Sequence, residues 1–171
     1  MDMAYVFSQF LGFLVAIFVI VSMQTKNMTA ALLCQICCNG FGMLSYVLLG
    51  GLSGCGIYLI ATLQSAIFFF IRKSGKKEPK WLNPVIIIVY IACSLVTLKG
   101  WLDFVPMVAA VLCAIGIAQK KASNYRIVMF LNGAIWIIYD VFVGAYTMLA
   151  SHVITVASAL IGIIRIDILK K

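Results

Sequence analysis

Charged residues cut this chain into long uncharged runs: 3–25, 27–71, 81–98, 104–119, 127–139 and 141–164. A helix needs about 20 predominantly apolar residues to cross a hydrocarbon core of roughly 30 Å. The run 27–71 is therefore two spans, parted at the turn signal Gly50-Gly51-Leu52-Ser53-Gly54. The last two runs join across Asp140 and require a second turn near Gly144. The pattern predicts seven transmembrane helices at about 3–23, 28–49, 53–71, 82–99, 102–119, 123–143 and 146–165. Connections this short leave no room for a soluble domain, so the fold class is all-α integral membrane. Met1-Asp2 is not a charged leader, and the first span lacks a small-residue cleavage site, so it reads as a retained helix. Pro84 and Pro106 fall at the openings of the fourth and fifth helices, where a missing N–H is tolerated.

Composition excludes the alternatives. Of 171 residues, 64% are hydrophobic and 11% charged, against about half and a quarter in soluble domains. The mean hydropathy is +1.12. Neither a soluble globule nor a disordered or collagen-like chain has such numbers. Charge placement then tests the span count. With seven spans, Lys26, the cluster Arg72 to Lys80, Lys120, Lys121, Arg126, Arg165, Lys170 and Lys171 all fall on one side, which is 12 of the 13 cations; Lys99 alone falls on the other. Cations in short loops mark the cytoplasm, which puts the N-terminus outside and the C-terminus inside. A six-span arrangement without the fourth helix would scatter the basic loops over both faces. The net charge of +8 thus reads as topology and attraction to anionic lipid, and not as nucleic-acid binding. Trp81 and Trp101 bracket the fourth helix like two interfacial belts.

The chain also resembles itself. At an offset of 93, residues 31–73 align with 124–166 through nine identities: Asn39/Asn132, Gly40/Gly133, Tyr46/Tyr139, Gly51/Gly144, Thr62/Thr155, Ser65/Ser158, Ala66/Ala159, Ile71/Ile164 and Arg72/Arg165. Most are glycine, polar, Tyr or charged, which apolar composition alone does not produce. Helices two and three correspond to six and seven, and one corresponds to five by position. The fourth, rich in Ile and Val, has no counterpart. The plan is 3+1+3: a first triple over 1–73, a linker loop and helix over 74–100, and a second triple with a short tail over 101–171. One crossing by the linker makes the repeats parallel, an arrangement that forms transport paths between its halves.

The second triple contains Trp101-Leu102-Asp103-Phe104-Val105-Pro106, Asn132-Gly133-Ala134-Ile135-Trp136-Ile137-Ile138-Tyr139-Asp140, Val143-Gly144-Ala145-Tyr146 and Ile161-Gly162-Ile163-Ile164-Arg165; the first contains Tyr46-Val47-Leu48-Leu49-Gly50-Gly51. Over nearly its whole length the chain resembles the YgjV family of bacterial inner membrane proteins. That family is similar in turn to the SWEET and PQ-loop superfamily of 3+1+3 transporters of small solutes, sugars in the best-known branch. In sugar-carrying SWEET proteins a Trp-x-x-Tyr-Gly pattern on the sixth helix supplies a pocket Trp, and sixteen residues later the seventh helix supplies a pocket Asn. Here Trp136 and Tyr139 match, Asp140 replaces the Gly, and His152 stands at the Asn position; the first-half equivalents, Met43 and Leu59, are apolar. The Pro-Gln signature of PQ-loop members is absent.

Asn132, Trp136 and Asp140 lie at i, i+4 and i+8, on one face of the sixth helix. An ionisable Asp inside a span faces the bundle interior or water and marks function; near its helix end it could equally be hydrated. His152, the single histidine, could bind a polar solute or exchange a proton near neutral pH with Asp140, or serve as a structural donor. Trp136 offers a flat face for a ring or for packing. Asn39 and Asn132 occupy equivalent mid-helix positions, as paired solute ligands or as interhelical hydrogen bonds. Thr62, Thr155, Ser65, Ser158 and the two tyrosines recur as packing positions, with Ser158 and Gly162 forming a small-x-x-x-small contact. Cys34, Cys37 and Cys38 lie in an apolar helix with no neighbouring His or carboxylate, so buried thiols are expected there and no metal site. Cys55, near the outer turn, is the thiol placed to meet an oxidising exterior. Any gate would flex at the glycines 40, 42, 116 and 133.

The leading expectation is a transporter of a small polar solute, a sugar being the class the resemblance offers, by alternating access, as a facilitator or proton-linked. Substrate-binding residues would be Trp136, His152, Asn132, Asn39 and Tyr139, with Asp140 and His152 coupling the proton. The alternative is a non-transporting membrane scaffold or subunit that keeps the fold. An enzyme ranks third, since no hydrolase elbow, phosphate loop or HExxH pair is present. No cofactor is expected; the partners are a small-molecule solute and membrane lipids, and a homo-oligomer is compatible with the sequence.

Overall fold

The computed structural model describes residues 3–48, 52–97, 101–143 and 146–169. Among them are seven α-helices: α1 (Met3–Gln24), α2 (Met28–Leu48), α3 (Leu52–Lys73), α4 (Leu82–Thr97), α5 (Phe104–Ile117), α6 (Ala122–Val143) and α7 (Tyr146–Gly162). The predicted turns at Gly50-Gly51 and Gly144, and the lone cation Lys99, lie outside the described residues. α1 to α6 begin and end within two residues of the predicted bounds. Two ends differ in kind. A short 3-10 turn, Trp101–Asp103, precedes α5, and α7 passes at Gly162 into a π-helical stretch, Ile163–Ile168.

Local chemistry accounts for several ends. The Asn27 side-chain oxygen accepts the Thr29 N–H at 2.9 Å and caps α2. α3 stops at Gly75, whose φ of 65° is open to glycine; the Gly75 N–H reaches the Arg72 carbonyl and the Lys76 N–H that of Ile71, closing the exposed carbonyls of the last turn. Pro84 and Pro106 sit in the first turns of α4 and α5.

Five helices, α1, α2, α3, α6 and α7 with its extension, are long and apolar enough to cross a membrane. α4 and α5 are apolar but shorter, 16 and 14 residues, or about 24 and 21 Å. The outside is covered with large apolar side chains such as Phe13, Phe70, Ile88 and Phe142, each more than 60% exposed. Gln35, Asn39, Gln64, Asn132 and Asp140 are buried instead. A surface of this kind suits lipid, and the polar groups are turned inside, away from it.

α1 packs on α2 and α7, α2 on α3, α5 on α6, and α6 on α7; α3 meets α5, α2 meets α6, and α4 lies against α3 and α5. Among the described residues, Lys26, Lys120, Lys121 and Arg126 gather at one end of the bundle, with Arg72 reaching Ala118 there; this is the basic end. There Arg126, 1% exposed, donates Nε to the Met23 carbonyl at 2.7 Å, Nη2 to the Thr25 carbonyl at 2.6 Å and Nη1 to Asp167 at 2.6 Å. The wider π turn carries Asp167 to that position. Arg72 donates Nε to Glu78 at 2.6 Å and Nη2 to the Ala118 carbonyl at 3.2 Å. Each guanidinium thus covers carbonyls left bare where α1 or α5 ends.

The glycines expected to flex are mostly points of close packing. A Cβ on Gly42 would come within 2.5 Å of the Tyr58 ring, one on Gly133 within 2.8 Å of Val156, and one on Gly116 within 3.0 Å of the Met129 sulfur. Gly40 has open space around it. Ser158 and Gly162 both face α1: the Ser158 carbonyl accepts from Gln24 at 2.9 Å, and a Cβ on Gly162 would lie 2.5 Å from the Met23 carbonyl.

Candidate functional site

A cavity of about 260 Å³ lies inside the bundle, and every one of the seven helices contributes to its wall. α6 supplies one stripe: Met129, Asn132, Trp136 and Asp140, three or four residues apart, fall on the face turned away from lipid. Tyr139 joins them from the neighbouring row. α7 adds Ser151, His152 and Thr155, α2 adds Gln35, Cys38 and Asn39, α3 adds Tyr58, and α4 adds Tyr90. α1 and α5 contribute mostly small or apolar side chains, among them Ala16 and Ala109.

The six candidates singled out by the sequence, Asn39, Asn132, Trp136, Tyr139, Asp140 and His152, all meet on this one wall. His152 Nδ1 and Asp140 Oδ2 are 2.7 Å apart, a charge-assisted bond when the pair holds its proton on the ring. Asp140 is 2% exposed, and the His152 side chain retains 20% of its surface. The imidazole lies flat on the Trp136 indole, centroids 5.3 Å apart and planes within 8°. Tyr139 meets the other part of the same indole edge-on at 5.7 Å. Carboxylate, imidazole and indole form one stacked unit across α6 and α7.

The two equivalent asparagines behave differently. The Asn132 amide donates to the Ala109 carbonyl and ties α6 to α5. Asn39, 6% exposed, has an amide nitrogen with no acceptor, and so does the buried Tyr90 hydroxyl lack a partner. Buried donors are normally satisfied, so both stand out on the cavity wall. Thr62 and Thr155 bond back to the carbonyls of Tyr58 and Ser151, at 2.7 and 2.9 Å. All six cysteines are free thiols, with Cys38 and Cys113 on the cavity wall.

Leu59, aligned with His152 across the repeat, points outward and is 45% exposed; its neighbour Tyr58 takes the cavity position, matching Ser151 at the offset of 93. Sequence reasoning passed over Gln35, Tyr58 and Tyr90. Gln35 lies one turn before Asn39 on the same helix face, and Asn83 and Tyr90 form a polar stripe on a helix read as a bland linker. Both signals are visible in the spacing. Gln64 ties that stripe in, donating to Asn83 at 3.2 Å and to the Ala114 carbonyl at 2.9 Å.

No curated protein and no solved structure matches the chain. The sequence family described as Imp-YgjV, bacterial inner membrane protein, matches it over residues 6–170. With an apolar exterior, several membrane-length helices and that match along nearly its whole length, the chain belongs to the Imp-YgjV family of bacterial inner membrane proteins.

Proposed function

We propose that this protein carries a small polar solute across the bacterial inner membrane, by alternating access between α1–α3 and α5–α7 with α4 as the linker. The observation that carries the reading is the cavity walled by all seven helices and holding the Asp140–His152–Trp136 unit. An ionisable pair is costly inside a bilayer and is characteristic of solute and proton pathways. A scaffold has no need of such a cavity.

Two further features support the division into halves. Among the six helices outside the linker, the pairs in contact are the same when α1, α2 and α3 are exchanged with α5, α6 and α7: α1 on α7 becomes α5 on α3, and α2 on α6 becomes itself, while α4, against α3 and α5, breaks the exchange. The carbonyls that accept the two arginine contacts are also related by the exchange, although the arginines themselves are not. Arg126 of the second half binds the Thr25 carbonyl of the first, and Arg72 of the first binds the Ala118 carbonyl of the second, positions 93 residues apart. Both contacts join the proposed halves at the basic end, which supports reading this conformation as closed there. In the orientation read from the loop cations, that end is cytoplasmic.

A thermal-shift screen of the purified protein against sugars, nucleosides, vitamins, amines and amino acids should find stabilising solutes, since a ligand of the folded state raises its stability by mass action. Uptake of the best of them into liposomes should fall by at least about tenfold in Trp136→Ala and in His152→Ala. Uptake unchanged by both substitutions would sink the assignment of the cavity.

A further inference from the structure

Among the described residues, the cavity wall contains one carboxylate, Asp140, one imidazole, His152, and no lysine or arginine. This is notable in a chain of net charge +8. The described cations stand elsewhere, and of these Arg72 and Arg126 bond to carbonyls and to Glu78 and Asp167. An anionic solute entering the cavity would meet no lysine or arginine among the described residues and, whenever the His152 ring is neutral, an unanswered carboxylate to repel it. A cation would find the reverse. Asp140 is its counter-charge, and Trp136, Tyr58, Tyr90 and Tyr139 put four aromatic rings on the same wall, the side chains whose π faces bind cations.

His152 decides when that counter-charge is available. With the proton on the ring, the pair is imidazolium and carboxylate, neutral in sum, and Asp140 is already answered. A cation that takes the place beside Asp140 is compatible with His152 only if the ring is neutral, so one proton leaves as one positive charge arrives. No covalent bond forms, and the charge of the cavity is the same before and after. The other titratable side chains on the wall are Tyr58, Tyr90, Tyr139, Cys38 and Cys113, residue types that are ordinarily uncharged at neutral pH. The Asn39 amide nitrogen, buried and without an acceptor, asks in addition for an oxygen or other acceptor on the solute. The volume, about 260 Å³, is just below the roughly 300–1,000 Å³ of drug-binding pockets, which limits the solute to a few carbons.

We infer that the cavity takes a small organic monocation bearing a hydrogen-bond acceptor, exchanged for the proton shared by Asp140 and His152. This rests on the transporter reading above and adds the class and the coupling. Three probes of one shape and different charge test it: choline, its neutral carbon isostere dimethylbutanol, and the anion dimethylbutyrate. Calorimetry on the purified protein in weakly buffered detergent solution, with a pH dye present, reads affinity and proton release together. Choline should bind at least about tenfold more tightly than the alcohol, the anion should not bind, and about one proton should appear per choline bound. Asp140→Asn should remove the preference for choline. His152→Gln, which leaves the carboxylate in place, should keep the preference and abolish proton release, and it serves as the test if Asp140→Asn does not fold. Equal affinity for choline and the alcohol, tighter binding of the anion, or choline binding without proton release overturns the inference. If the alcohol binds best and Trp136→Ala abolishes that binding, the cation class falls while the solute pocket stands. If none of the three binds, the cation inference falls, and the liposome assay decides the transporter reading separately.

Discussion

Gly162 shows how narrowly single positions are set. Its missing side chain lets the Met23 carbonyl and the Arg126 stem approach to where a Cβ would be, 2.5 and 2.9 Å away. Backbone carbonyl cannot swing aside as a flexible side chain can, so Gly162→Ala has to push α7 from α1 or dislodge Arg126. The expected cost is about 1–3 kcal/mol, read as a lowered melting temperature in detergent. Gly12→Ala, where a Cβ meets nothing within 4 Å, is the control and should be neutral or stabilising by up to about 1 kcal/mol. Equal melting temperatures for the two variants would remove the close contact from the account. Polar residues that an apolar span must accommodate were the most legible part of the sequence: Asn39, Asn132, Asp140 and His152 stood out because a bilayer tolerates few such groups, and all four line the cavity.

At the scale of elements, uncharged run lengths set the helices closely, because each helix must satisfy its own backbone in lipid whatever its neighbours do. What run length could not give was the helix interior facing inward. α4 reads as Ile- and Val-rich and featureless, yet its Tyr90 is 1% exposed and forms part of the cavity wall. The π turn after Gly162 was equally hidden, since it answers a partner, Arg126, that lies 41 residues away from Asp167 in sequence. The role of α4 is open to a simple measurement. Tyr90→Phe deletes a buried hydroxyl with no partner, so stability should hold or rise by about 1 kcal/mol, while stabilisation by a bound solute should shrink. A fall of several degrees in the melting temperature of the empty protein would make that hydroxyl structural.

For the whole molecule, the cations of the loops predict a cytoplasmic C-terminus. A fluorescent protein fused after Lys171 should fold and fluoresce, and alkaline phosphatase fused at the same place should be inactive, since the first works in the cytoplasm and the second only outside it. The opposite pair of results would invert the molecule, and the basic end with its arginine contacts would then close the outer side.

Those contacts carry a consequence about symmetry. In the division proposed here, each half extends one arginine to its neighbour and presents one carbonyl to receive the other's. A surface that gives and accepts the same bond is isologous, the kind through which two identical subunits pair about a twofold axis. The basic end of this single polypeptide therefore has the bonding logic of a homodimer interface. The carbonyls at Thr25 and Ala118 stand at equivalent positions of the repeat, whereas Arg72 and Arg126 do not, Arg72 being aligned with Arg165. The reciprocity therefore lies in the bonds and not in the residues that make them.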